Sequence, residues 1–194
     1  MSIAPIPALL VTGATGAGKT TYLSRLLATR SPAARWAVLV NDFGEARLDP
    51  AAGPGDARVY VREVGGCICC SAQVSLRTAI IRLLREARPE RLLIEASAAA
   101  HPASIVKVLQ EKGISSAVVL ERTVCIVDPA QLLDTRYAGA DLYREQLTFA
   151  DGVVVTKPDA SSAAERDATL RALTRIGVSA VEDAQPGAAS KHTW

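Results

Sequence analysis

Residues 13–20 constrain this chain more than any other stretch, because Gly-Ala-Thr-Gly-Ala-Gly-Lys-Thr fits the pattern G-x-x-x-x-G-K-[ST] without a mismatch. The apolar residues 8–11 predict a buried strand before the loop, and residues 21–27 predict a helix after it. Glycines let such a loop turn its backbone N–H groups inward, and the helix N-terminus adds partial positive charge. A glycine-rich turn with a chance lysine is the alternative, but it does not require both flanking elements. The pattern predicts a nucleotide-phosphate site.

The lysine of this loop and the threonine after it have distinct predicted roles. Lys19 is expected to reach the β- and γ-phosphates and to act in catalysis, and the Thr20 hydroxyl is expected to bind Mg²⁺. The other loop residues predicted to bind the nucleotide are Gly13, Gly16, Ala17, Gly18 and Thr21.

The rest of the chain alternates short apolar runs with amphipathic stretches, which predicts an α/β fold. Continuous apolar strands favour a mainly parallel, doubly wound sheet with helices on both faces, the architecture of P-loop NTPases. The predicted elements include helices over residues 103–112 (capped by Gly113) and 163–176, and strands over residues 117–127 and 178–181. With 194 residues, one domain over residues 1–183 is expected, followed by a disordered tail over residues 184–194.

Charge and composition narrow the possible partners. The formal net charge is only +2 and the basic residues are spread along the chain, so neither nucleic acid nor a membrane is an expected partner. Aromatic residues make up only 4% of the chain, which leaves little for stacking on single strands. Residues 1–7 have no signal-peptide pattern, so a cytoplasmic protein with reduced cysteines is expected. Cys125, inside an apolar strand, is expected to be a buried small side chain.

Residues 156–159, Thr-Lys-Pro-Asp, follow an apolar strand and resemble the [NT]-K-x-D signature that recognises guanine. A carboxylate at Asp159 can accept hydrogen bonds from both N1–H and N2–H₂ of guanine, a donor pair that adenine lacks. The stem of Lys157 can lie along the base. Thr156 replaces the commoner asparagine, and this is expected to weaken the link to the phosphate loop. A solvated turn is the alternative, but the upstream phosphate loop favours guanine recognition.

Glu95 ends the apolar strand of residues 91–95, where P-loop proteins keep an acidic residue. Its expected role is to hold Mg²⁺ through water or to orient the attacking water. Asp128, at the end of another strand, is a rival, although strand-terminal acids also serve as caps. Asp42 follows the apolar residues 36–40, which predict the second strand. A switch segment that senses Mg²⁺ would lie there, so Asp42 is a further catalytic candidate. His101 is a weaker candidate metal ligand, because an isolated loop histidine is ordinary.

Cys67, Cys69 and Cys70 place three thiols within four residues, far denser than core packing requires. Thiolates favour soft or borderline ions such as Zn²⁺ or Cu(I). Adjacent cysteines strain the chelate, so a fourth ligand is expected from water, Glu45, Asp42 or another chain. Inert or redox-active cysteines are the alternative.

These motifs, in this order, resemble the metal-handling GTPases of the CobW-related family, which includes the nickel-insertion GTPases of urease and hydrogenase. The C-x-C-C between the phosphate loop and the acidic strand end is highly specific to the CobW-like branch. The matching segments are residues 13–21, 40–45, 66–70, 94–97 with Pro102, and 156–159. The resemblance covers residues 9–181. It implies a P-loop GTPase domain that binds GTP and hydrolyses it slowly without a partner.

The chain departs from the family pattern at several points. Asp42 stands where the family has glutamate, and Ala98 stands where a glycine of the switch loop would meet the γ-phosphate. Loss of that glycine is expected to affect the rate of hydrolysis and the switching. The family's C-terminal domain, roughly a hundred residues and within the usual domain range, is not expected in this chain.

The predicted function is a metallochaperone that uses GTP or GDP, Mg²⁺, and Zn²⁺ or another thiophilic metal. The expected partner is a metal-receiving client protein, and a homodimer is an open alternative. Two other functions fit the phosphate loop: a small-molecule kinase, which would give the cysteines no role, and a nucleotide-binding metal or redox sensor with little turnover. Phosphate release from GTP alone would separate the first function from these two.

Overall fold

Seven strands form one sheet in the described part of this computed structural model, which comprises residues 4–41, 58–64, 72–157 and 161–183. In chain order the strands are β1 (Ile6–Gly13), β2 (Trp36–Val40), β3 (Val59–Glu63), β4 (Arg91–Glu95), β5 (Val118–Val127), β6 (Gly152–Val155) and β7 (Val181–Asp183). Their order across the sheet is β3-β2-β4-β1-β5-β6-β7, and each of these pairings is parallel. The predicted α/β fold is confirmed, and the sheet is more uniformly parallel than the sequence indicated.

The helices follow the strands in the alternation expected of this architecture. They are α1 (Lys19–Ala28), α2 (Ala72–Ala87), α3 (Pro102–Leu109), α4 (Pro129–Leu133), α5 (Thr135–Ala138), α6 (Asp141–Phe149) and α7 (Ala163–Ile176). The sequence did not indicate α4 and α5, because elements of five and four residues are too short to show apolar periodicity. The α7 helix has its predicted bounds, since Ser162 and Glu165 form a capping box at its start and Gly177 ends it.

Two elements have bounds that differ from the prediction: α3 ends earlier and the last strand begins later. The α3 helix stops at Leu109 with Gln110 as its cap, because the N–H groups of Glu111 and Ile114 then bond to carbonyls three residues earlier in tight turns. The last strand begins three residues later than expected. At residue 178 the backbone still belongs to the end of α7, because the Val178 N–H donates to the Leu173 carbonyl oxygen.

Alternate side chains of the central strands fill two cores, one on each face of the sheet. Leu10 of β1 lies in the same core as Ile80 of α2, whereas Val11 lies in the opposite core with Leu23 of α1 and Leu173 of α7. All five side chains are fully buried, and burying one such side chain contributes about 1.5–3 kcal/mol. The continuous apolar runs seen in the sequence therefore arise because both faces of each central strand are covered.

The parallel arrangement brings the carboxyl ends of the strands to one edge of the sheet. The β1 strand lies between β4 and β5, and β6 follows β5. The ends of these strands are Gly13, Glu95, Val127 and Val155. The loops that follow them therefore open on the same edge, where ligands bind in sheets of this type.

Candidate nucleotide-binding site

The glycine-rich loop packs against β5 so closely that its first residue can only be glycine. Gly13 has φ 133°, and a Cβ built on it would lie 2.4 Å from the Ile126 carbonyl oxygen. Gly18, the residue before α1, has φ 100°. Positive φ is unfavourable for residues with a side chain, so both glycines are required by the backbone. Gly16 and Ala17 lie between them in the same turn, and Thr21 lies in the first turn of α1.

Lys19 is buried at the start of α1, with only 3% of its surface exposed. Its Nζ donates hydrogen bonds to the Gly13 and Ala14 carbonyl oxygens, each at 3.1 Å. The ammonium group is therefore held within the loop, next to the backbone that would surround an anion. A fixed positive charge at a helix N-terminus is suited to phosphate.

Thr20 and Glu95 meet across the boundary between α1 and β4. The Thr20 hydroxyl donates a hydrogen bond to Glu95 Oε1 at 2.7 Å, and the carboxylate is fully buried. The β1 and β4 strands pair in register at Val11 and Glu95, which places the carboxylate beside the phosphate loop. A hydroxyl and a carboxylate oxygen are the hard ligands that Mg²⁺ prefers, so this donor set fits a magnesium ion.

The loop after β6 is tied directly to the phosphate loop through Thr156. The Thr156 hydroxyl lies 2.7 Å from the Ala17 carbonyl oxygen and 3.1 Å from that of Val127, and the residue is buried. Its methyl group also fills the space beside Gly18, where a built Cβ would lie 3.6 Å from Thr156 Cγ2. The threonine hydroxyl reaches the Ala17 carbonyl because the two loops are in contact. That threonine makes this link weaker than asparagine would stays a prediction.

Lys157 and Asp128 form an ion pair beside this loop. Lys157 Nζ donates to Asp128 Oδ2 at 2.6 Å, and Asp128 Oδ1 accepts the Ala130 N–H at the start of α4. Both carboxylate oxygens of Asp128 therefore have partners of their own. The structure does not support Asp128 as the rival of Glu95, because its carboxylate pairs with Lys157 at the start of the loop after β6 (residues 156–157, the base-side loop). Asp159, the predicted guanine-recognition residue, lies outside the described residues.

Two glutamines that the sequence analysis did not identify hold the site loops in place. Gln131 of α4 donates from Nε2 to the Thr15 carbonyl oxygen at 2.7 Å. Gln146 of α6 is 1% exposed and donates from Nε2 to the carbonyl oxygens of Ala98 and Ala100, at 3.1 and 3.0 Å. The available signal for Gln146 was a polar residue on an otherwise apolar helix face, beside the buried Leu147.

The loop between β4 and α3 is held from α6 at a second point. His101 precedes α3, and its Nδ1 lies 2.7 Å from Glu145 Oε2. This contact gives His101 a hydrogen-bond partner on α6. Among the described residues, no group of three His, Cys, Asp or Glu side chains could hold a metal ion.

The strands that precede the predicted metal-ligand residues, β2 and β3, end at the same edge of the sheet. Cys67, Cys69, Cys70, Asp42 and Glu45 all lie outside the described residues. The strands that lead to them are neighbours, since β2 and β3 pair in parallel with their carboxyl ends side by side.

Asn41, which directly follows β2, links the end of β3 to the end of β4. Its Nδ2 donates to the Val64 carbonyl oxygen at 2.8 Å, and its backbone N–H donates to the Glu95 carbonyl oxygen at 2.9 Å. The last described residues before both predicted metal-ligand segments are therefore connected to β4. Cys125 is fully buried as predicted, and burial raises the pKa of its thiol to about 12.

Comparison with known proteins places most of the chain in one family model. That model, described as CobW/HypB/UreG, nucleotide-binding domain, matches residues 7–180. The zinc chaperone YeiR of Escherichia coli (strain K12) is 39% identical over 163 residues, covering 84% of this chain and 49% of YeiR. The zinc chaperone YjiA of the same strain is 30% identical over 169 residues, covering 84% of this chain and 52% of YjiA. The chain spans about half the length of these curated relatives.

Solved structures agree on the fold. The crystal structure of Zn(II)-bound YjiA GTPase from E. coli gives a TM-score of 0.63 at 22% identity, covering 96% of this chain and 59% of that chain. The hydrogenase maturation factor HypB from Archaeoglobus fulgidus gives 0.61 at 13% identity, covering 92% of this chain and 80% of that chain. No helix among the described residues is long and apolar enough to cross a membrane.

Proposed function

Because the chain belongs to the CobW/HypB/UreG nucleotide-binding domain family, we propose that it is a GTP-binding, slowly hydrolysing metallochaperone whose cargo is zinc. The observation that carries the proposal is the contact between the phosphate loop, Glu95 and the Thr156 loop at one edge of the sheet. The active unit proposed is a single P-loop domain over residues 1–183, acting in the cytoplasm. A metal-receiving client is the proposed partner, and a homodimer remains the alternative.

The nucleotide phosphates bind the loop between β1 and α1. Lys19 moves its ammonium from the loop carbonyls to the β- and γ-phosphates, which present more negative charge than carbonyl oxygens do. Backbone N–H groups of the loop contribute the remaining donors. The other residues proposed to bind nucleotide here are Gly13, Gly16, Ala17, Gly18, Thr20 and Thr21.

Thr20 and Glu95 would hold Mg²⁺, Glu95 either directly or through water. The ion would supply positive charge to offset the charge that develops on the phosphate oxygens. Lys19, Glu95 and Asp42 make up the proposed catalytic set. We expect hydrolysis on the order of 10⁻⁴ to 10⁻² per second without a partner, the range of unassisted GTPases.

The base binds the loop after β6, where Asp159 recognises guanine, Lys157 lies along the base and Thr156 fixes the loop to the phosphate loop. Support for this assignment comes from the Thr156–Ala17 hydrogen bond, since a base-side loop must keep a fixed distance from the phosphates.

Zinc binds Cys67, Cys69 and Cys70, with Glu45 or Asp42 as a further ligand. The relatives YeiR and YjiA are named zinc chaperones, which supports zinc as the cargo of this chain as well. A switch segment after β2 that responds to the γ-phosphate would add or withdraw a carboxylate ligand. The parallel pairing of β2 with β3 supports this coupling. The carboxylate segment follows β2 in sequence and the cysteine segment follows β3, and the ends of these two strands are adjacent.

The proposal is tested by anaerobic zinc titration of protein saturated with GDP or with a non-hydrolysable GTP analogue. We expect zinc affinities that differ at least fivefold, on the order of 1 kcal/mol, and an equal factor in GTP-analogue affinity with and without zinc. Cys67→Ala should weaken zinc binding and leave GDP affinity unchanged. Cys125→Ala, which removes a buried thiol elsewhere, is the control and should not affect zinc. Identical titrations in both nucleotide states would reject the chaperone mechanism.

A further inference from the structure

We propose that Asp128 is a positioning residue for guanine-nucleotide binding, which it promotes by holding Lys157 and so fixing the base-side loop before the base arrives. This inference rests on the proposed function, since it concerns the same nucleotide site. Asp128 does not reach the phosphate loop or the Thr20–Glu95 pair with either carboxylate oxygen. The role proposed for Asp128 is therefore distinct from magnesium binding, for which the sequence made it a rival of Glu95.

The backbone of Lys157 is the first reason to expect such an anchor. Lys157 has φ 55°, one of two positive values among the described non-glycine residues. The left-handed region is unfavourable for a lysine, and a residue before proline, as Lys157 is, ordinarily takes an extended conformation. Local preferences therefore oppose the observed conformation, so tertiary contacts must maintain it.

The contacts around Lys157 identify the anchor. On the chain before it, Thr156 is fixed by its hydroxyl to the Ala17 carbonyl. The Lys157 side chain itself is held by Asp128 at 2.6 Å, a charge-assisted hydrogen bond. The Asp128 side chain is only 10% exposed, whereas that of Lys157 is 46% exposed. The fixed member of the pair is therefore the aspartate, and the lysine adopts the position that the aspartate sets.

Asp128 is itself immobilised by α4. Its Oδ1 accepts the Ala130 N–H at 3.0 Å as the N-cap of that helix, which leaves Oδ2 for the lysine. The two oxygens thus have separate tasks, one structural and one directed at the base-side loop. Asparagine at this position would keep the capping oxygen and the shape but would offer Lys157 no charged acceptor.

Preorganisation of this kind raises the affinity for the base and leaves the affinity for the phosphates unchanged. A loop that must be ordered on binding reduces affinity by the cost of ordering it. Asp128→Asn should therefore weaken GDP binding about tenfold, equivalent to ~1.4 kcal/mol. Inorganic pyrophosphate, which has no base, should bind within about twofold of the wild-type affinity. The kcat for GTP at saturation should stay close to wild type while KM rises, because the lost interaction is made equally in the ground state and the transition state.

The experiment measures GDP and pyrophosphate binding by calorimetry, and kcat and KM for GTP, in wild type, Asp128→Asn, Lys157→Met and the double variant. In the Lys157→Met background, Asp128→Asn should have no further effect on GDP affinity. Asp134→Asn is the matched control, because Asp134 also caps a helix (α5) and pairs with a basic residue, Arg136, within its own turn. This control should bind GDP as wild type does.

Unchanged GDP affinity in Asp128→Asn would overturn the inference. So would equal losses for GDP and pyrophosphate, which would indicate an effect on the phosphate loop, or additive effects in the double variant. Wild-type protein that binds no guanine nucleotide would instead reject the proposed function, and the comparison among variants keeps the two failures distinct.

Discussion

The Thr20 hydroxyl donates to Glu95 Oε1 at 2.7 Å, although 75 residues separate the two in sequence. The contact joins the first turn of α1 to the end of β4, which are neighbours only because β4 pairs with β1. The fold itself therefore places the hydroxyl beside the carboxylate. A site that the fold preorganises loses less free energy in ordering when a ligand binds.

Replacement of Glu95 by glutamine should slow GTP hydrolysis at least tenfold at limiting Mg²⁺, about 1.4 kcal/mol or more. Glutamine keeps the size and can still accept from Thr20, but the negative charge that attracts Mg²⁺ is lost. Phosphate release measured over a range of Mg²⁺ concentrations tests this. Glu63→Gln, at the exposed end of β3, is the control. The same rate as wild type at every Mg²⁺ concentration would exclude Glu95 from the magnesium site.

GTP and GDP should bind at least tenfold more tightly than ATP and ADP, about 1.4 kcal/mol or more. The reason is the donor pair on guanine that a carboxylate at Asp159 can accept. Asp159→Ala should abolish the preference, whereas Asp167→Ala on the exposed face of α7 should retain it. Direct titrations of each purine nucleotide give the answer, and equal affinities in wild type would contradict the assignment.

Gly13→Ala should lower the free energy of unfolding by roughly 2–4 kcal/mol, because a clash adds to unfavourable φ. The new Cβ would lie 2.4 Å from the Ile126 carbonyl oxygen, a backbone atom that cannot move away cheaply. Gly113→Ala separates the two causes, since Gly113 also has positive φ but has nothing within 4 Å. That variant should lose only about 1–2 kcal/mol in a urea titration. Similar losses in both variants would show that the clash is relieved.

Gln146→Ala should reduce GTP hydrolysis several-fold and lower the free energy of unfolding by about 1–3 kcal/mol, the usual cost when buried polar groups lose their partners. Without the glutamine, the Ala98 and Ala100 carbonyls lose their link to α6, and the loop after Glu95 keeps only the His101–Glu145 contact to that helix. GDP affinity should change little, because Gln146 donates its hydrogen bonds to the loop between β4 and α3. Thr148→Ala on the same helix, exposed and bonded to the Arg144 carbonyl, should match wild type in both assays.

Cys125 should resist alkylation in the folded protein. Burial raises the pKa of its thiol to about 12, so at pH 8 only about one molecule in 10⁴ carries the reactive thiolate. Mass spectrometry after treatment with iodoacetamide should detect no label at Cys125 in native protein and full label after denaturation. Equal labelling in both states would mean that β5 opens readily. If the prediction holds, native labelling reports on the other three cysteines alone.

The sequence was most informative where a property depends on neighbouring residues. The phosphate loop, its flanking strand and helix, and the bounds of α7 are local patterns, so they could be predicted. The last strand was misplaced because β-pairing with β6, and not local composition, decides where it begins. The roles of Asp128 and Gln146 depend on partners 29 and 46 residues away, and a single sequence carries no direct signal for such contacts.

The position of each strand in the sheet has a consequence for local stability. Among the strands that the structure describes, β1 and β4 are hydrogen-bonded on both sides, whereas β3 forms one edge of the sheet. Edge elements open at lower free energy than central ones, so β3 can separate from β2 while the nucleotide-bearing strands stay intact.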